Sequence, residues 1–164
     1  MKKHIRVTKY LDNDISKNIT AGGLILYKKD KSGNLKLLLI KKKGMYEDIG
    51  GKIDLEDETI YDTVAREVEE ETNNVISSNS IIERIKKAPY FYSSHSKYVI
   101  FVVKANSNER HLRKEDFGET ELHDDIERTI KWTSFRKFMK NKMNGRMRIK
   151  QLFDKLYELE KIEF

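Results

Sequence analysis

The sequence predicts an α+β domain, an α/β/α sandwich built on a central mixed β-sheet. Three observations lead there. β-rich segments come first, a helix interrupts them, and further strands precede a last helix, the order expected when helices cover a sheet. Residues 98–104, Tyr-Val-Ile-Phe-Val-Val-Lys, are an unbroken apolar run that reads as a buried strand. Residues 59–72 and 146–160 instead place apolar side chains at helical spacing.

Taken in order, residues 1–18 are polar and mixed, a leader that can add an edge strand. Ile19 to Tyr27 is β-rich, with Gly22-Gly23 inside it. Asp30-Lys31-Ser32-Gly33-Asn34 is a turn cluster, and Leu35 to Ile40 is a second apolar run, so the two runs form a hairpin. Lys41-Lys42-Lys43-Gly44 ends it, and a loop is expected from Met45 to Asp57. Ile60, Val64 and Val68 then recur at i, i+4 and i+8, with Asp57 or Thr59 as cap and Asn73-Asn74 as stop. Ile81 to Lys87 and Tyr90-Phe91-Tyr92 read as short strands, residues 105–123 as a charged loop, and Arg128 to Trp132 as another strand. Ser134 caps a short helix from Phe135. The last helix, 146–160, carries Ile149, Leu152, Phe153, Leu156 and Leu159 on one stripe.

At 164 residues the chain forms one domain with a real core, 1–164. Charged residues make up 37% and hydrophobic ones 38%, a hydrophilic but foldable balance. There is no cysteine, which excludes disulfides and zinc–thiolate centres; a metal must take oxygen or imidazole ligands, which favours magnesium or manganese. Met1-Lys2-Lys3-His4 lacks the apolar stretch of a signal peptide, and no window has the length of a membrane span, so the expectation is an intracellular, cytoplasmic protein without a membrane partner. The net charge of +6 fits either a solvated lysine-rich surface or attraction to a polyanion such as a nucleotide or RNA.

The chemical signal lies between Gly50 and Asn73. Glu67, Glu70 and Glu71 stand at i, i+3 and i+4 and share one helix face, while Glu69 points away. Three like charges repel, and a hard divalent cation reverses the sign of that energy. Arg66 is placed to orient Glu58 and Glu67 through forked hydrogen bonds. Gly50-Gly51 lets the backbone approach a ligand closely and offers carbonyl oxygens.

This stretch resembles the Nudix box, Gly-x5-Glu-x7-Arg-Glu-U-x-Glu-Glu-x-Gly-U with U aliphatic. Glu58-x7-Arg66-Glu67-Val68-x-Glu70-Glu71 matches without a gap. Gly51 stands six residues before Glu58 instead of five, and Asn73-Asn74 replaces the closing Gly-U pair. The resemblance implies a Nudix fold and hydrolysis of a nucleoside diphosphate linked to a group X by metal-activated water. It implies Glu67, Glu70, Glu71 and Gly51 as metal ligands for magnesium or manganese, and Glu67, Glu70, Arg66 and Glu58 as the catalytic set. The family's base often lies outside the box. Glu119, Glu121, Asp124, Asp125 and Glu127 are the candidates, with Asp124, Asp125 and Glu127 preferred because a strand starting near Arg128 would fix them.

For the substrate, Lys41 and Lys43 share one strand face and Lys42 takes the other; Lys41, Lys43 and Lys52 are candidate phosphate contacts, and Tyr92 a candidate base contact. Arg146, Arg148 and Lys150 near the last helix offer RNA contacts. The partner is a nucleotide derivative or, alternatively, an RNA 5′ cap or 5′ end removed by decapping. A non-catalytic nucleotide- or RNA-binding module is the other alternative, disfavoured because a mere binder has no need to concentrate carboxylates. The oligomeric state is not legible.

Overall fold

The computed structural model describes residues 8–11, 14–121 and 126–162. Its centre is a mixed seven-stranded sheet: β3 (Ala21–Lys29), β4 (Leu35–Lys42), β5 (Met45–Glu47), β6 (Ile49–Lys52), β7 (Tyr90–Ser93), β8 (Tyr98–Lys104) and β9 (Thr129–Ser134). β1 (Lys9–Leu11) and β2 (Asp14–Ile19) pair separately. β3 runs parallel to β8, and every other pairing is antiparallel. The hairpin expected from the two apolar runs is β3–β4, with Leu26 opposite Leu38.

Alternation along the strands divides the core in two. Leu24, Leu26, Leu38, Ile40, Val99, Phe101 and Val103 point to one face, where α1 (Ile60–Glu71) and α2 (Ser78–Lys86) cover them. Ile25, Leu37, Leu39, Ile100 and Val102 point to the other, beneath α3 (Phe135–Met139) and α4 (Lys150–Lys161). Helices on both faces of one mixed sheet are the sandwich the element order predicts. Among the described residues no helix is long and apolar enough to cross a membrane.

α1 forms where the periodicity placed it. Thr59 is its cap: the hydroxyl accepts from the Asp62 N–H while the Asp62 carboxylate accepts from the Thr59 N–H, a reciprocal box worth about 1 kcal/mol. Ile60, Val64, Ala65 and Val68 are buried, each valine contributing roughly 1.5–3 kcal/mol. The stop is also as expected: Asn73 and Asn74 both take left-handed backbone, at φ 54° and 66°.

Three elements differ from the sequence reading. Residues 81–86 of the expected Ile81–Lys87 strand are helical, because Ser77 caps α2 and Ile81 and Ile85 bury at helical spacing, and Lys87 closes the helix. The expected loop from Met45 contains β5 and β6, too short and too polar to show alternation. The last helix begins at Lys150, after a 3-10 turn at Gly145–Met147.

That turn delivers Arg146 into the protein, so it is not the surface phosphate contact the sequence suggested. Its Nε donates to Asp48 Oδ1 at 2.8 Å and its Nη2 to the Asp48 carbonyl at 3.1 Å, with the guanidinium 4.6 Å above the Tyr98 ring. The Tyr98 hydroxyl donates to Asp48 Oδ2 at 2.6 Å. Asp48 is fully buried and depends on both partners. Arg146→Met should therefore lower unfolding free energy by about 3–5 kcal/mol in urea titrations, the scale for stranding a buried charge.

Candidate active site on α1 and the β6 strand

Arg66 is the hub of the site. Nε donates to Asp57 Oδ1 at 3.1 Å and Nη2 to Asp57 Oδ2 at 2.9 Å, a two-pronged fork. Nη2 also donates to the Lys52 carbonyl at 3.0 Å, while Nη1 reaches Glu67 Oε1 at 3.0 Å and Glu70 Oε2 at 3.3 Å. The expected Arg66–Glu67 contact is present; the expected Arg66–Glu58 contact is not. Glu58 is exposed beside the helix cap, and the fork closes on Asp57. Asp57 also accepts from the Thr63 hydroxyl and the Asp54 N–H. Burial pushes its carboxyl up, but these hydrogen bonds outweigh burial and hold it below the usual carboxylate range. Counted to Asp57, the interval from Gly51 is the five residues of the signature, and the extra residue falls between Asp57 and Arg66.

The backbone at Gly51 passes close to the Glu67 side chain. A Cβ there would overlap the Glu67 carboxylate, and one on Gly50 would meet the Tyr98 hydroxyl on the opposite sheet face. Glu67 is thus pressed against β6 with 14% of its side chain exposed, whereas Glu70 is 42% exposed. Burial pushes the Glu67 carboxyl up, Glu70 and Glu121 add to the rise, and Arg66 opposes it.

Glu71 shows the crowding most strongly. Its carboxyl is pushed up to about 8, first by burial and then by repulsion from Glu121, Glu67 and Glu47, with Lys42 opposing. Glu121, from the loop after the 3-10 turn Lys114–Phe117, therefore lies within electrostatic reach of Glu67 and Glu71, and Glu47, on β5, within reach of Glu71. Sequence reasoning held Glu121 as one of five loop candidates with nothing to single it out. It missed Glu47, whose strand it read as loop. Of the preferred base candidates, Asp124 and Asp125 lie outside the described residues. Glu127 is exposed and lines, with Lys41, Glu119, Arg128 and Thr129, a separate cavity of about 330 Å³.

The lysines sort by strand parity. Lys42 continues the Leu38–Ile40 face toward Glu71, while Lys41 lies on the opposite face with its ammonium 5.3 Å from the Tyr46 ring. Lys43 is exposed in the β4–β5 turn at φ 51°, and the exposed Lys52 touches the site through its carbonyl. Tyr92 donates its hydroxyl to the Asn18 carbonyl at 2.9 Å and packs against the α1-side core, which ties it to the sheet margin. Lys42, which the sequence reading did not select, is the lysine facing the carboxylates.

The donor set fits a hard divalent cation. It is all oxygen, it is anionic, and Glu71 is held from ionising first by burial and then by neighbours of its own charge. Among the described residues no three acidic side chains already close around one point, since Arg66 engages Glu67 and Glu70.

A model of the NUDIX domain matches residues 17–156. Among solved structures, an Ap4A hydrolase binary complex from C. elegans superposes at TM-score 0.51 and 17% identity, covering 85% of this chain and 96% of that one. A NUDIX hydrolase from Alicyclobacillus acidocaldarius superposes at TM-score 0.52 and 12% identity, covering 88% and 92%. At these identities the likeness is one of fold. No curated protein matches the sequence significantly.

Two outcomes check the geometry. Asp57→Ala should cost about 1–3 kcal/mol by urea denaturation, and Glu58→Ala less than about 0.5 kcal/mol. In metal-free buffer the folded protein keeps a proton on Glu71 that the unfolded chain has already lost, from the ordinary carboxylate range up to about 8. Stability therefore falls as pH rises through that window, and Glu71→Gln should flatten the fall in melting temperature between pH 5 and pH 8.

Proposed function

Because this chain belongs to the NUDIX domain family of pyrophosphohydrolases, we propose that it cleaves the pyrophosphate linkage of a nucleoside diphosphate carrying a further group X. The observation that carries this reading is the acidic crowding at α1: Glu121 lies near enough to act on Glu67 and Glu71, and Glu47 on Glu71, whose carboxyl burial and these neighbours push up to about 8. Such repulsion is a standing cost unless cation and phosphate complete the site.

Glu67, Glu70, Glu71 and the Gly51 carbonyl would hold magnesium or manganese. A cation held there would supply positive charge against the pyrophosphate oxygens and lower the pKa of a bound water. The chain supplies the rest. Arg66 fixes the rotamers of Glu67 and Glu70 through hydrogen bonds and keeps its own charge balanced on Asp57. Lys42, on the α1 face, meets the substrate's phosphates. Glu121 accepts the proton of the attacking water, since its carboxylate faces the cluster whereas Glu127 is turned to solvent. Glu58 has no contact with Arg66 and leaves the catalytic set.

One observation favours RNA 5′-end or cap removal as a second reading. Lys131, Lys137, Lys114 and Lys41 gather along β9, at the sheet edge; burial first, then those three neighbours, push the Lys131 ammonium down. None of the four has an ion-pair partner among the described residues. A chain of phosphates leaving the site across this edge would supply the missing negative charge.

Turnover of a panel of nucleotide derivatives and capped RNA with magnesium or manganese is the direct test. Glu70→Gln should stay folded, within about 0.5 kcal/mol of the parent. It should also lose roughly 10²-fold or more of metal-dependent kcat/KM, the scale of a catalytic carboxylate. Undiminished turnover would exclude this site. On the RNA reading, kcat/KM for capped RNA falls more steeply with salt than that for a free dinucleotide; equal slopes leave the nucleotide reading alone.

A further inference from the structure

We infer that Asn73 and Arg128 are positioning residues that clamp the 117–120 loop to the end of α1 and so hold Glu121 against the α1 carboxylates. Four successive carbonyls of that loop accept from these two residues. Asn73 Nδ2 donates to the Phe117 carbonyl at 2.7 Å and to the Thr120 carbonyl at 2.8 Å. Arg128 Nη1 donates to the Gly118 carbonyl at 2.7 Å and Nη2 to the Phe117 carbonyl at 3.1 Å, while the Arg128 N–H donates to the Glu119 carbonyl at 2.9 Å. The same Nη2 donates to the carbonyl of Glu71 at 2.8 Å, so one guanidinium joins loop to helix.

The clamp explains two oddities. Arg128 is 5% exposed, a costly place for a guanidinium unless surrounding oxygens receive it. Asn73 occupies the position where the signature has glycine. A glycine would satisfy the left-handed backbone equally well, so φ alone does not select asparagine. What asparagine adds is an amide that donates twice into the loop. Thr120 is the last residue held and Glu121 is the next, so the clamp sets where that carboxylate starts. The bend that brings the loop back is made at Gly118, whose φ is 71°.

This inference rests on Glu121 acting as base, and the test separates the two. Asn73→Gly removes the amide while keeping the helix stop, so folding is not threatened. It should lower kcat by about 10- to 100-fold at nearly unchanged KM and melting temperature. Glu121→Gln should lower kcat at least as far. The double variant should be no slower than Glu121→Gln alone, because both remove the same placed carboxylate. Losses that multiply, or a parental kcat in Asn73→Gly, overturn the positioning role even if Glu70→Gln is dead and the hydrolase reading stands. Amide hydrogen exchange reads the clamp without turnover: segment 117–121 of the metal-free protein should exchange faster in Asn73→Gly. Identical exchange in the two proteins overturns the clamp whatever the enzyme does.

Discussion

The guanidinium of Arg66 spans three parts of the chain that have little else in common. It forks onto Asp57 in the loop before α1, takes the Lys52 carbonyl at the end of β6, and reaches Glu67 and Glu70 on its own helix. Loop, strand and helix face therefore share one rigid cation. Because a guanidinium keeps its charge at any ordinary pH and offers its donors in a fixed plane, no lysine can do this. The bond to Asp57 also anchors Arg66 from behind. Without it, the charge would swing onto the acidic face and neutralise the cluster that gives the site its affinity for a divalent ion.

The acidic face is stabilised from outside itself. Glu67, Glu70 and Glu71 repel one another, an effect that Arg66 offsets only in part, and Glu121 and Glu47 make the repulsion worse. The capping box of Thr59 and Asp62, the buried Ile60–Val64–Val68 stripe and the Asn73-Asn74 stop supply what the face withholds. A site that works by holding like charges together trades stability for function, and the surrounding scaffold is where the compensation is found.

What was legible in the sequence follows from how local each signal is. α1, its stop, the β3–β4 hairpin and β8 rest on periodicity and turn chemistry within about twenty residues, and all are present. α2 was misread because adjacent isoleucines imitate a strand, although Ile81 and Ile85 also fit a helix. β5 and β6 were missed because three- and four-residue strands carry too little pattern. At the site, the helix carboxylates and Arg66 were legible since one helix presents them. The partner of Arg66 was not: Asp57 and Glu58 are neighbours in sequence, and only the loop's path decides which carboxylate turns inward. Strand alternation did put Lys42 on the face opposite Lys41, but which of those faces meets α1 is set by tertiary packing, and Glu47 and Glu121 come near the cluster from elements distant in sequence.

The parallel pairing of β3 with β8 has a kinetic consequence. The Thr20 N–H meets the Lys97 carbonyl at the start of that pairing, at a sequence separation of 77. That excursion contains β4, β5, β6, α1, α2 and β7, so pairing the two central strands closes a long loop. Loop closure on this scale is entropically unfavourable and slows folding. Early compaction then falls to short-range units, the β3–β4 hairpin and the α1–α2 pair, with closure of the centre as the late event. The last contacts to form in the sheet are thus the ones that bring Tyr98 beneath Gly50, beside the strand on which Glu67 rests.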